Sequence, residues 1–334
     1  MDFLTDLFAN PWVALGGKVL LVAVMVPLLA LLLGFAELKL SAKMQARVGP
    51  YFAGGRWGWA QLIADGVKFF QKEDLIPEDA DRPVFKMAPI LVLMSTVALL
   101  VVIPFGPDLV FQDLSIGVFY ALAISSIGTI GVLMAGWSSA NKYSLMGGLR
   151  AAGQLIAYEL PLVLAVVGVV IMAGTMSLSG IVEAQANAPI PYFIPQALGF
   201  AIFMIATLAE LTRIPFDMPI AESELVMGFV TEYSGFRFLF FFLAEYANMF
   251  TMSAIAVTLF LGGYWLPGIP ESTLAYAGPL ILAAKVFLLV FAMIWFRWTF
   301  PRFREDQLQA LAWKWLIPLA LVNIVATAAF KVIF

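Results

Sequence analysis

Residues 13–36 read VALGGKVLLVAVMVPLLALLLGFA, with Lys18 the only charged side chain in the run. At about 1.5 Å per residue a helix of this length crosses the roughly 30 Å hydrocarbon core of a bilayer. The run shows no alternation of a half-buried strand and no polar face. In lipid the backbone has to satisfy its own hydrogen bonds, so such a run is a helix. The pattern returns downstream. Apolar runs at 85–105, 116–136, 151–173, 196–213, 237–261, 278–299 and 311–333 predict further spans, about eight in all. Pro27, Pro89 and Pro161 predict kinks within them. No internal repeat or low-complexity linker interrupts the series, which predicts one polytopic, all-α membrane domain over residues 1–334.

Composition points the same way. Of 334 residues, 62% are hydrophobic and 12% charged, about half the ~25% charge of a soluble domain. The mean hydropathy is +0.95. A net charge of −3 gives no electrostatic footprint for nucleic acid. The chain contains neither cysteine nor histidine. That removes disulfides, thiolate-held Fe–S clusters, histidine-ligated haem and imidazole proton carriers. Any electron transfer here therefore uses a redox centre held by a partner. Any proton handling rests on Asp, Glu, Lys, Arg, Tyr and water. The first ten residues carry Asp2 and Asp6 and lack the basic start of a signal peptide, so the first span is expected to stay in place.

Basic residues set the expected topology. All but Lys18, Lys285 and Lys331 of the 19 fall on, or at the span ends bordering, alternate connections: the segment after span 1, the loop 137–150, the loop after span 5 and the loop after span 7. The intervening loops 106–115, 174–195 and 262–277 contain no Lys or Arg. Both termini are therefore expected outside the cytoplasm. Within the first basic segment, residues 57–72 predict an amphipathic helix that lies in the interface. Trp59, Leu62, Ile63, Val67 and Phe70 share one face, and Gln61, Asp65, Lys68 and Lys72 the other.

Beyond Lys18 and the charges near span ends, three charges fall well inside spans, where each costs roughly 2.5–3.5 kcal/mol and needs a partner or water. They are Glu159, Glu245 and Lys285. The segment 209–235 is the densest in carboxylates, with Glu210, Asp217, Glu222, Glu224 and Glu232 around Arg213. If span 5 stays helical past Pro215, Glu210, Arg213 and Asp217 share a face. These carboxylates alternate with Phe216, Leu225, Val226, Phe229 and Tyr233, which a solvated loop would not need. Crowded carboxylates in a low dielectric raise one another's pKa and can hold or pass protons. A pocket roofed by an interfacial helix, with an apolar wall and few polar groups, suits a lipid-soluble ring compound.

Four blocks of the chain resemble one family. The first is Glu37-Leu-Lys39, Gln45-Ala-Arg47-Val-Gly49-Pro50, Gly58, Gln61, Asp65, Lys68 and Lys72-Glu73. The second runs from Gly136-Trp137 through Asn141-Lys142-Tyr143-Ser144 and Arg150 to Tyr158-Glu159. The third is Glu210, Arg213-Ile-Pro215-Phe216-Asp217, Glu222-Ser-Glu224-Leu225, Gly228 and Glu232-Tyr233. The fourth is Thr299-Phe-Pro301-Arg302-Phe-Arg304-Glu305-Asp306-Gln-Leu308. In order and spacing they resemble the quinone-site membrane subunit family of respiratory complex I, the NADH–quinone oxidoreductase. Ile220 departs from the pattern, standing where a glutamate is common.

The resemblance implies an eight-helix subunit of a quinone-reducing, proton-translocating enzyme in a bacterial inner membrane, not catalytic alone. It implies a quinone tunnel lined by Glu37, Lys39, Arg47 and Asp65, with Arg213, Phe216, Asp217 and Arg297 near it. It implies a proton path through Glu159, Glu210, Glu222, Glu224 and Glu232. Quinone is then the substrate, and this chain binds no cofactor or metal. NADH, FMN and Fe–S clusters belong to partner subunits. Those partners are peripheral Fe–S subunits on the cytoplasmic face and small and antiporter-like membrane subunits. The alternatives are the equivalent subunit of a membrane-bound hydrogenase or of a complex I variant not fed by NADH, and last a stand-alone transporter.

Overall fold

In the computed structural model, which describes residues 11–107, 109–188 and 190–333, the apolar runs fold as helices and no strand forms among those residues. Asp2 and Asp6 lie outside the described residues. The helices are α1 (Pro11–Met44), α2 (Gln61–Gln71), α3 (Arg82–Leu100), α4 (Gly117–Ser138), α5 (Lys142–Ala173), α6 (Leu178–Asn187), α7 (Ala197–Glu210), α8 (Glu222–Leu225), α9 (Gly235–Phe260), α10 (Glu271–Thr299), α11 (Glu305–Ala310) and α12 (Ile317–Ile333). A π-helical turn, Leu311–Leu316, joins α11 and α12 into one run. Seven runs are long and apolar enough to cross a membrane: α1, α3, α4, α5, α9, α10 and α11–α12.

The eighth expected span, 196–213, is realised as α7, an apolar helix of 14 residues, about 21 Å at 1.5 Å per residue. It stops early because Thr212 adopts a positive φ of 50° just before Arg213-Ile-Pro215. Glu210, Arg213 and Asp217 therefore do not share a helical face.

Other boundaries also moved. α1 continues to Met44, since Glu-Leu-Lys-Leu-Ser-Ala-Lys-Met contains no helix breaker, so Glu37 and Lys39 sit on the helix rather than in a connection. The expected loop 137–150 is mostly helix. Asn141 caps α5, its side chain accepting from the Tyr143 N–H at 2.8 Å, and places Lys142 and Arg150 on its first turns. α2 begins at Gln61, not 57, because Trp57 and Gly58 have φ of 94° and 67°.

α9 sits at the centre, with 67% of its most apolar stretch buried, against 50% for α5 and less for the other spans. It packs on α1, α2, α3 and α10, while α5 packs on α4, α7 and α12. Bare backbone allows the closest crossing. A Cβ on Gly136 of α4 would lie 2.8 Å from the Gly148 Cα of α5. Small residues at helix crossings are how bundles pack where lipid supplies no hydrophobic drive. The last helix is fixed by a buried polar knot. Asn323 donates to Gln196 Oε1 at 2.8 Å, and Gln196 donates to Thr327 Oγ1 at 2.6 Å. Lys285 of α10 reaches the end of α9, donating to the carbonyls of Leu261, Gly263 and Trp265 at 2.6–2.9 Å. It thereby satisfies the carbonyl of the helix's C-terminal cap, Leu261, and two carbonyls of the turn beyond it.

Candidate functional site

Two cavities flank α9. On one face Phe236, Leu239, Phe240 and Leu243 recur at helical spacing and line an apolar cleft of 1380 Å³ between α1, α2 and α9. α2 is held there by ring contacts, Phe69 on Phe238 at 5.2 Å and Phe70 on Phe236 at 5.0 Å. Ser234 and Arg237 pin the strap that follows α2. Ser234 Oγ donates to the Glu73 carbonyl at 3.1 Å, and Arg237 pairs with Asp74 at 2.8 Å. Asp65, which also contacts Lys68 at 2.6 Å, lines the cleft with Lys68 and Lys72.

On the other face Phe238, Phe241, Glu245 and Asn248 line a second cavity of 420 Å³. Its wall includes Glu210, Asp217 and Glu222, with Arg213, Arg297 and Arg302 interleaved. Phe242 borders both cavities.

An ion cluster sits at the end of α1. Glu37 is 4% exposed. Arg213 Nη1 donates to both of its carboxylate oxygens at 2.8 Å, and Arg297 Nη1 donates to Oε1. Arg213 Nη2 lies 3.0 Å from Glu245 Oε1, and the guanidinium stands 5.0 Å above the Tyr246 ring. Two carboxylates thus face two guanidiniums, which is the arrangement that lets charges persist out of water. Asp217 accepts two hydrogen bonds from Arg302, at 2.6 and 2.7 Å. That pairing holds the Arg302 guanidinium even further above the physiological range than usual. Beyond the cavity, the phenol of Tyr233 is pushed up by burial, its hydroxyl donating to the Phe85 carbonyl at 3.1 Å.

The expected site residues divide into groups. Glu210, Arg213, Asp217, Glu222 and Arg297 converge on the charged cavity, with Glu37 tied to it through two arginines. Glu159 accepts from Ser126 of α4. Lys39 instead caps the Pro50 carbonyl. Arg47 bonds Gln45 and lines a separate surface hollow with Tyr51 and Phe52. Phe216 is 3% exposed and packs between Tyr158 and Phe303 at 5.3 and 5.5 Å, lining neither cavity. Glu224 turns out to Arg150 at 2.6 Å. Glu232 accepts from Asn141.

Sequence reasoning assigned no site role to Glu245, Tyr246 or Arg302. Glu245 had the signal of a charge inside a span, and Arg302 lay in the fourth block. The contact that recruits each of them is long-range. Among the described residues no group of three metal-ligating side chains forms.

A family model described as NADH dehydrogenase matches residues 17–328. The chain is 48% identical over 319 residues to the H subunit of NADH-quinone oxidoreductase from Anoxybacillus flavithermus, covering 93% of this chain and 94% of that one. It is 48% identical over 320 residues to the same protein from Geobacillus thermodenitrificans, covering 92% and 93%. To that from Bacillus cytotoxicus it is 50% identical over 299 residues, covering 90% and 88%.

Proposed function

The chain belongs to the NADH dehydrogenase family, and from that premise we propose that it is the membrane subunit through which an NADH–quinone oxidoreductase meets quinone and passes the energy of its reduction to protons. The observation that carries this is the pair of cavities on α9, one apolar and the other charged, sharing the Phe242 ring.

A quinone is a flat apolar ring with carbonyl acceptors, often on a lipid tail, and the cleft between α1, α2 and α9 offers it an apolar path from the bilayer. Reduction to the quinol takes two electrons and two protons. This chain has no thiol or imidazole, so the electrons come from the Fe–S clusters of partner subunits, fed by NADH through FMN. The chain's own part is electrostatic. Negative charge arriving on the quinone is felt first by Arg213, Arg297 and their carboxylate partners Glu37 and Glu245. A carboxylate in low dielectric answers a change in neighbouring charge by changing its protonation. Glu210, Asp217 and Glu222 face the same cavity, and Glu159 continues from Glu210 into the bundle. We read this as the start of a proton path toward antiporter-like partner subunits. Glu224 and Glu232 contribute at its cytoplasmic rim. The basic connections face the bacterial cytoplasm, where the peripheral subunits dock, with both termini outside.

The test is Glu210→Gln or Asp217→Asn in the intact complex. Quinone-linked proton pumping falls in both, while oxidation of NADH by an artificial acceptor stays at the parent rate. Normal quinone-linked pumping in both variants overturns the proposal.

A further inference from the structure

Gln154 of α5 is fully buried and lines neither cavity of α9. Its amide nitrogen donates to two carbonyls at once, those of Ala209 and Phe216, each at 2.7 Å. These carbonyls belong to the peptide groups that lead into Glu210 and into Asp217, and Arg213 lies between them in the chain. One nitrogen therefore holds both ends of the turn that brings Glu210, Arg213 and Asp217 to the charged cavity.

The backbone of that turn is irregular. Past the end of α7 the Thr212 N–H bonds the Ala209 carbonyl at 3.1 Å, while the Arg213 N–H reaches back to Leu208 at 3.2 Å. Phe216 bonds the Arg213 carbonyl at 2.7 Å, and Phe303 bonds the Pro215 carbonyl at 3.1 Å. The Gln154 amide can stand only one way round here, since the reverse would set its oxygen against two carbonyl oxygens. In that orientation both of its protons are used, and Oε1 is left buried with no hydrogen-bond partner among the described residues. One turn further along α5, Tyr158 packs its ring on Phe216 at 5.3 Å and donates to the Leu308 carbonyl at 2.9 Å. Buried glutamines often do no more than satisfy carbonyls that a helix end leaves open. Here the second carbonyl lies beyond the turn rather than on α7, and each clasped peptide carries the chain into a carboxylate of the cavity.

We propose that Gln154 is a positioning residue, a clasp that sets the spacing of Glu210 and Asp217 and aims Arg213 between Glu37 and Glu245. Arg213 is held to Glu37 at 2.8 Å and lies 3.0 Å from Glu245. Without the clasp the two ends of the turn are free to part, and the arginine and both acids move with them. This rests on the acidic path proposed above and names the group that keeps its first members in register.

The experiment compares Gln154→Met with the parent as the assembled complex in native membranes. Methionine is unbranched like glutamine but has no proton to donate. The amount of complex is read by native gel, and quinone-linked turnover and proton pumping are expressed per assembled complex. With a short-tailed quinone as substrate, turnover falls by roughly ten- to a hundredfold, as small misplacements of positioned groups cost. KM stays at the parent value, because Gln154 does not line the apolar cleft. A merely structural amide would lower the amount of complex and leave turnover per complex unchanged. Where Gln154→Met does not assemble, Gln154→Asn carries the measurement. It keeps the amide one methylene short of the two carbonyls, and turnover falls in the same direction by less. Parent turnover per complex in the assembled variant, with Glu210→Gln still blocking pumping, overturns the clasp alone. So does a raised KM at parent turnover, or failure of both variants to assemble, which makes the amide a folding contact only. Normal pumping by Glu210→Gln overturns the path beneath it.

Discussion

Glu37 shows what a single buried charge demands. It is held by Arg213, itself 7% exposed, and by the half-exposed Arg297. Glu37→Gln leaves two guanidiniums with one carboxylate, Glu245, which pairs with Arg213 alone. Breaking a buried pair by removing one partner costs about 3–5 kcal/mol. We expect Glu37→Gln to lower stability by about that amount, measured as thermal unfolding of the detergent-solubilised complex. Arg297→Gln costs less, because that side chain is 38% exposed and water screens the loss. The charges themselves were legible in the sequence, since a carboxylate among apolar residues announces a need. Their pairing was not, because Glu37 and Arg213 lie 176 positions apart. Phe216, which the resemblance puts near the quinone, has contacts that the sequence did not show either. Its neighbours in sequence are charged, but its neighbours in space are Tyr158 and Phe303.

At the level of helices, length and hydropathy located the apolar runs, and local chemistry decided where each one ends. The α5 start was hidden because Gly147 and Gly148 read as a loop, while the Asn141 cap and a glycine-to-glycine crossing make them helical. The α7 end was hidden because the sequence shows Pro215 but not the turn that precedes it at Thr212. The same crossing yields a test. In Gly136→Val the new Cβ falls 2.8 Å from the Gly148 Cα and 2.8 Å from the Ser144 carbonyl oxygen, both backbone atoms that cannot swing aside. α4 and α5 must then separate, at a cost of about 1–3 kcal/mol or more. The expected outcome is a sharp fall in the amount of assembled subunit, measured by native gel of solubilised membranes. Gly66→Ala on α2, where a Cβ meets nothing within 4 Å, serves as the control and assembles normally.

For the whole chain, the apolar bulk and the one-sided distribution of Lys and Arg were readable from the order of residues alone. The division of labour across α9 was not, since a helix lined by phenylalanine along most of its first half gives no hint that its two sides face different solvents. The proposed orientation can be tested because the chain has no cysteine of its own. Phe52→Cys places a thiol on a side chain that is 91% exposed in the connection after α1. Glu183→Cys places one on the exposed side of α6. A membrane-impermeant maleimide should label the first in inverted vesicles and the second in intact cells. The opposite pattern reverses the assigned topology.

The knot of Gln196, Asn323 and Thr327 has a bearing on how the cell judges a finished copy. Translation supplies the amide of Gln196 more than a hundred positions before its partners, and until α12 arrives that amide has only Met172 to bond. A copy truncated before position 323 would carry into the lipid a polar amide with only the weak acceptor Met172 for a partner. Membrane proteases that sense such groups could then discard it before it meets the rest of the enzyme.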